Sequence, residues 1–145
     1  MPENQDFDLI DFLPYLLNQA AEESSLAFHQ VYKARYGMLR TEWRVLFHLG
    51  RYGALTAKDI GARAKMHKTK ISRAVAALER RRFLTRTRDQ RDKRLEILNL
   101  TSAGRAVYAD LHDVARSYHQ TLVVLFPPED AERLRMMLRQ LAKIS

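Results

Sequence analysis

Arg91, Asp92, Lys93 and Arg94 occupy four consecutive positions in the stretch RTRDQRDKRLEI, residues 86–97, where seven of the first nine residues are charged. Three cations within four residues make a tip too narrow to be a domain surface. Guanidinium and ammonium groups at that density suit insertion into the minor groove of a duplex. Asp89 and Asp92 would repel phosphate if they acted alone, so their expected task is to hold the neighbouring arginines by charge-assisted hydrogen bonds. A second cluster lies upstream in KTKISRAVAALERR, residues 68–81. There Ile71, Ala74, Val75 and Leu78 recur at helical spacing and define one apolar face. Advancing by about 100° per residue places Thr69, Arg73, Ala76 and Arg80 opposite that face, with Lys70 and Ser72 on its flanks and Lys68 leading in. Small residues and arginines together make a slim, basic, hydrogen-bonding ridge of the kind that fits a major groove, where Arg reads guanine and Ser or Thr serves base edge or phosphate.

The charge is segregated along the chain. Between Lys58 and Arg94 fourteen Lys and Arg stand against four acids, whereas the remaining residues carry eleven bases and thirteen acids. All of the excess positive charge therefore sits in one contiguous quarter of the chain, the footprint of a polyanion partner. With 145 residues the chain is long enough for one ordinary domain with its own core. The absence of cysteine excludes disulfides, thiolate metal sites, a cysteine nucleophile and a cysteine redox sensor. No apolar run approaches a membrane span, and the acidic start MPENQDFDLIDF lacks the basic region of a secretory signal, so a cytoplasmic location without membrane association is expected.

The elements that must position these groups are mostly helical. Residues 8–33 read as one long helix carrying Leu9, Phe12, Leu13, Leu16, Leu17, Ala20, Phe28 and Val31. That is more apolar surface than a helix covered only by its own domain needs. Gly37 suits a helix terminus and Thr41 an N-cap for a helix over 42–51 with Trp43, Val45, Leu46, Phe47 and Leu49. Thr56 and Asp59 form a capping box for a helix over 57–64, whose buried stripe is expected to be Ala57, Ile60 and Ala64. After a polar connection over 65–68, the basic helix begins. Residues 83–88 and 94–100 read as two strands, the second carrying Leu95, Ile97 and Leu100 with Leu98 between them, joined by the charged stretch 89–94 into a hairpin. Thr101 caps a long helix to about residue 126, which Pro127 and Pro128 end. A last helix over 128–144 has acids at its start and Leu134, Met137, Leu138 and Leu141 on one face. Two short helices joined by a tight turn, the second basic on its outer face and followed by a hairpin, make a winged helix-turn-helix in a mainly α chain.

The motifs LRTEWRVLFHL, LTAKDIGARA, KTKISRAVAALERR and TRTRDQRDKRLEILNLTSAG, followed by two closing helices, resemble those of the multiple-antibiotic-resistance regulator (MarR) family of bacterial transcription factors over nearly the whole chain. The D-x-R of the hairpin followed by LTSAG is the most specific part. The resemblance implies a single chain over 1–145, with a winged helix-turn-helix module over 41–100 and dimerisation helices over 8–36 and 101–145. It implies a homodimer that presents two recognition helices to successive major grooves of a near-palindromic operator in double-stranded DNA, acting as a repressor. By position, Thr69, Lys70, Ser72 and Arg73 match the recognition-helix contacts, Asp92 the acid of the wing and Arg94 the arginine placed in the minor groove. Many relatives release DNA when a small phenolic or other aromatic molecule binds between the dimerisation helices and the winged module. Two positions depart from the family pattern. Arg82 stands where L-E-x-x-G has glycine, so either a non-glycine residue takes φ > 0 there or the turn differs. His67 stands where a small polar N-cap is usual, which leaves Thr69 as the expected cap and a later helix start.

Catalytic readings find little footing. The chain has no G-x-x-x-x-G-K, G-x-G-x-x-G, H-E-x-x-H or G-x-S-x-G. Of its histidines only His112 and His119, with Asp113, share one helix, and their seven-residue spacing is loose for a metal. No enzyme, cofactor or metal is expected. The competing reading is a winged module that holds an acidic protein partner instead of nucleic acid, since fold alone does not fix function. Against it stands the alignment of the Arg73 and Arg80 ridge, Lys68 and Lys70, and the Arg91 and Arg94 tip on one side. Phe12, Tyr15, Phe28, Tyr32, Tyr36, Trp43, Phe47 and Tyr108, with Arg40, Arg44 and His48, could line an effector cavity. Aromatics at helical spacing are ordinarily core, so no ligand-binding residue is assigned.

Overall fold

Pro14 decides where the first helix begins. The computed structural model describes residues 7–145, so the first six residues of the acidic start lie outside the described residues. Proline is tolerated only in the first turn of an α-helix. Leu9–Asp11 therefore form a separate 3₁₀ turn, capped by Asp8, whose carboxylate accepts the Ile10 N–H at 3.2 Å, and α1 spans Leu13–Tyr36. The single helix expected over 8–33 is thus two pieces and ends later, at Gly37, whose φ of +65° closes the helix in the left-handed conformation that glycine adopts without strain. Helix α2 spans Arg40–Tyr52. Thr41 is inside it and does not cap it; extended Leu39 is the N-cap, with no side-chain hydrogen bond.

Helix α3 spans Ala57–Ala64 and opens on the expected capping box, the Thr56 hydroxyl accepting from the Asp59 N–H and the Asp59 carboxylate from the Thr56 N–H, each at 3.1 Å. Only Ile60 of the expected stripe is fully buried; Ala57 is exposed and Ala64 half-buried, because so short a helix turns a single large residue into the core. Lys65, in the left-handed conformation, ends α3 and turns the chain into α4, Lys68–Arg80. His67 is the N-cap of α4: its Nδ1 accepts the Thr69 N–H at 3.2 Å. This overturns the expectation that Thr69 caps and the helix starts later, since an imidazole nitrogen can take the place of a small hydroxyl.

Strands β1 (Leu84–Arg88) and β2 (Glu96–Leu100) pair antiparallel, with Leu84 opposite Leu100 and Arg88 opposite Glu96. The inward parity of β2 is that of Leu98 and Leu100; Leu95 is exposed outside the strand and Ile97 half-buried. Leu55 fixes this choice by bridging Leu98, donating to its carbonyl at 3.2 Å and accepting from its N–H at 2.8 Å. A slip of one residue would send both leucines to solvent. Helix α5 spans Ser102–Val123, with the Thr101 hydroxyl accepting the Gly104 N–H at 3.0 Å, and α6 spans Pro128–Leu141. Residues 124–126 turn before the prolines instead of extending α5.

One core unites these pieces. Met38, Val45, Leu46, Ile60, Leu78, Leu84, Leu98 and Leu111 are fully buried, and the four apolar residues of α4, Ile71, Ala74, Val75 and Leu78, all face it. By contrast Leu9, Ile10, Phe12, Leu13 and Leu16 at the start of the chain, and Leu134, Met137, Leu138 and Leu141 on α6, are exposed.

Candidate nucleic-acid interface

With its apolar face buried, α4 necessarily turns Lys68, Thr69, Lys70, Ser72, Arg73 and Arg80 to solvent, and all six are exposed, with Ala76 half-buried among them. Among the described residues none of Lys68, Lys70, Arg73 or Arg80 is ion-paired within the chain. Their donors are free for an external anion.

The wing is organised by its two acids in different ways. Asp92 meets the Arg94 guanidinium with both oxygens, accepting from Nε at 2.9 Å and from Nη2 at 3.0 Å, and also accepts the Arg94 backbone N–H at 3.1 Å. The guanidinium first, and the backbone N–H after it, hold the Asp92 carboxyl below its ordinary value. The Arg94 side chain is nonetheless 90% exposed, so it is oriented without being buried. Asp89 corrects the expectation: it accepts the Arg91 backbone N–H at 3.1 Å and shapes the turn, while its carboxylate makes no ion pair with the Arg91 guanidinium. Backbone bonds from Asp89 N to Leu95 O and from Leu95 N to Asp92 O, both 3.0 Å, close the loop. Arg88 adds a bond from Nη1 to the Lys93 carbonyl at 2.8 Å. Arg91, Lys93 and Arg94 thus project from a closed, cross-braced tip.

Arg86, a residue missed by sequence reasoning, ties the hairpin to α4. Arg86 of β1 donates from Nε to Glu79 of α4 at 3.1 Å and from Nη1 to Glu96 of β2 at 3.4 Å, bridging helix and hairpin. In the sequence Arg86 is one more basic residue of a strand, and only the register of the hairpin brings it to Glu79. The left-handed turn at Arg82 (φ +63°) that leads from α4 into β1 follows the first alternative read from the sequence.

The aromatic residues divide. Trp43 packs against Phe28, Tyr32 and Phe47 at centroid distances of 5.1, 5.8 and 5.2 Å, and Phe47 continues to Tyr108 and His112, forming one wall between α1, α2 and α5. Phe12 lies outside it, against Phe7, and Tyr36 packs on Phe83. Arg40 is bound to Glu22 at 2.6 Å. Trp43 Nε1 and His29 Nδ1 are buried and have no hydrogen-bond partner among the described residues. His112 stacks on Phe47, and no group of three His, Cys, Asp or Glu among the described residues could hold a metal.

A basic, exposed α4 that follows α3 through a tight turn, and a hairpin tied to it by Arg86, make up a winged helix-turn-helix. A family model described as MarR family matches residues 36–95. The chain is 30% identical to the MarR family transcriptional regulator SPO1453 from Silicibacter pomeroyi DSS-3, with a TM-score of 0.82 over 95% of this chain and 98% of that one. The chain belongs to the MarR family. It is also 27% identical over 109 residues to the HTH-type transcriptional regulator YwoH of Bacillus subtilis (strain 168), covering 72% of this chain and 79% of the relative. The fold recurs in BpsR of Bordetella bronchiseptica, whose DNA binding is described as regulated by 6-hydroxynicotinic acid; that structure is 19% identical, with a TM-score of 0.86 over 97% of this chain and 99% of that one. No helix among the described residues is long and apolar enough to cross a membrane.

Proposed function

We propose that this MarR-family regulator is a cytoplasmic, sequence-specific repressor that binds a near-palindromic operator as a homodimer. Residues 41–100 act as the DNA-binding module, and residues 8–36 and 101–145 hold the two copies together. Thr69, Ser72 and Arg73 read or position bases in the major groove, Lys68 and Lys70 neutralise phosphates, and Arg94, held by Asp92, enters the minor groove with Arg91 and Lys93 beside it. The observation that carries this reading is the contrast between the cations of this face. Arg94 is locked to Asp92, whereas the cations of α4 are unpaired and exposed, as expected if one orders the wing and the others take up external charge. The exposed leucines and methionines at the start of the chain and on α6 support the dimer, since monomers rarely leave such patches uncovered.

Release by a small aromatic or phenolic molecule is the second half of the proposal. It is supported by the two buried, unpartnered ring nitrogens of His29 and Trp43 and by the ligand response of BpsR. The deciding experiment is fluorescence-anisotropy binding to the DNA immediately upstream of the chain's own gene, against scrambled duplex, at two salt concentrations. Preference by about two decades or more with a steep salt slope is expected. Equal binding to both duplexes would shift the reading to an acidic protein partner.

A further inference from the structure

Glu42 is the one charged residue buried among the described residues, at 5% exposure, and neither the recognition helix nor the wing contains it. Its carboxylate accepts a hydrogen bond from Nη1 of Arg81, the C-cap of α4. The other arm of the same guanidinium, Nη2, donates to the carbonyl of Gly37 at 2.7 Å. Gly37 is the left-handed cap of α1 and Glu42 lies in the first turn of α2. Arg81 therefore reaches into the notch where α1 turns into α2, and a Cβ at position 37 would lie 3.4 Å from Nη2. The other side of the same turn is fastened to α5: the carbonyls of Arg82 and Phe83 accept from the hydroxyl and N–H of Thr101, at 2.7 and 3.0 Å. The end of the recognition helix is thus gripped by both helices that lead out of the winged module.

Burying a carboxylate opposite one arginine is a poor way to add stability, because desolvation offsets most of the attraction and apolar residues of similar volume serve as well. What a two-armed guanidinium adds is direction, since it bonds well in only one orientation of helix against notch. We propose that Arg81, oriented by Glu42, is a positioning residue that sets the angle at which α1 carries the recognition helix, and with it the half-site spacing that the dimer accepts. This rests on the dimeric operator reading given above.

The test uses the duplex that the wild-type protein enriches from a random-sequence pool, then shortens and lengthens the segment between its half-sites in single base-pair steps. The wild type should prefer one spacing over its neighbours by about tenfold. Arg81→Ala should flatten that preference to about threefold or less while keeping its affinity for a single half-site. Glu42→Gln, which leaves the bond to Gly37 in place, should flatten it partly and serves if Arg81→Ala fails to fold. A variant that binds every spacing more weakly by one common factor would show that the contact only stabilises the fold, and the proposal would be wrong. A wild type indifferent to spacing would overturn the operator reading itself, and this inference with it.

Discussion

Asp92 and Arg94 meet through two parallel hydrogen bonds, 2.9 Å and 3.0 Å long, across a two-residue turn at the tip of the wing. On the proposed reading this face meets phosphate, where a carboxylate weakens binding by simple electrostatics and is worth its place only if orienting the guanidinium gains more. Arg94→Ala should therefore lower specific DNA affinity by about 1–3 kcal/mol in a dimer of unchanged helicity. Asp92→Asn should also lower it, although the substitution makes the protein more positive. Titration of both variants against the operator separates the two effects. Tighter specific binding by Asp92→Asn would mean that the acid has no orienting role.

Arg82 holds a left-handed backbone at φ +63°. That conformation costs a residue with a Cβ about 1–2 kcal/mol, whereas glycine there gives back about 0.5–1 kcal/mol through the freer unfolded chain. Arg82→Gly should raise stability by the difference, on the order of 0.5–1 kcal/mol, and Arg82→Ala should not. Thermal unfolding of the two variants checks this.

Gly104 is the one residue after the cap of α5 that must lack a Cβ. A Cβ at this position would drive into the carbonyl of Phe83, the same carbonyl that accepts the Thr101 N–H. Gly104→Ala should destabilise by about 1–3 kcal/mol or more, because backbone must move to make room. The urea midpoint is the readout, and an unchanged midpoint would mean that α5 can shift freely against β1.

Asp110 receives the Tyr36 hydroxyl at 2.5 Å and Arg35 Nη1 at 2.8 Å, which joins α5 to the end of α1. The Tyr36 hydroxyl first, and Arg35 after it, hold the Asp110 carboxyl below its ordinary value. A depressed folded value adds stability above the unfolded value, about pH 4, and that stability is lost as pH falls through the folded value. Asp110→Asn should thus be less stable than wild type at neutral pH, with the gap closing in acid. Urea unfolding followed from neutral pH down into acid measures this window. A gap that persists in acid would point to packing instead of charge.

Ending the chain before Pro128 removes the exposed apolar residues of α6, which the proposed dimer buries against a second copy. Loss of the dimer, as monomer or aggregate, is expected in sedimentation. A truncated chain that stays a monodisperse dimer would move the interface elsewhere.

Local signals made much of this architecture legible. The box of Thr56 and Asp59, the stop at Gly37 and the four-residue apolar face of α4 each depend on neighbours within one or two helical turns, so spacing alone reveals them. The start of α1 is not legible in the apolar period, which runs on through Pro14, whose ring restricts the backbone without altering hydrophobicity. The inward parity of β2 is not legible in its sequence because Leu95, Ile97 and Leu98 are chemically alike, and only the bridge from distant Leu55 selects Leu98. The same holds for the candidate site. Its exposed cations follow from the buried face of α4, but the roles of Arg86 and Arg81 depend on Glu79, Glu96, Glu42 and Gly37, which only folding brings near.

On the proposed reading, the confinement of excess positive charge to residues 58–94 also sets where the molecule spends its time in a cell. Such a face holds any duplex weakly, with dissociation constants of about 10⁻⁴ to 10⁻⁶ M, and a chromosome offers on the order of a million or more such sites. If that face meets DNA as proposed, nearly every copy would be on DNA, sliding and hopping, with a small freely diffusing pool. Occupancy of one promoter becomes a contest between that site and the rest of the chromosome. On the proposed reading, a ligand that weakened only the specific contacts by one or two powers of ten would empty the operator and leave the protein on non-specific DNA, from which a short one-dimensional search returns it.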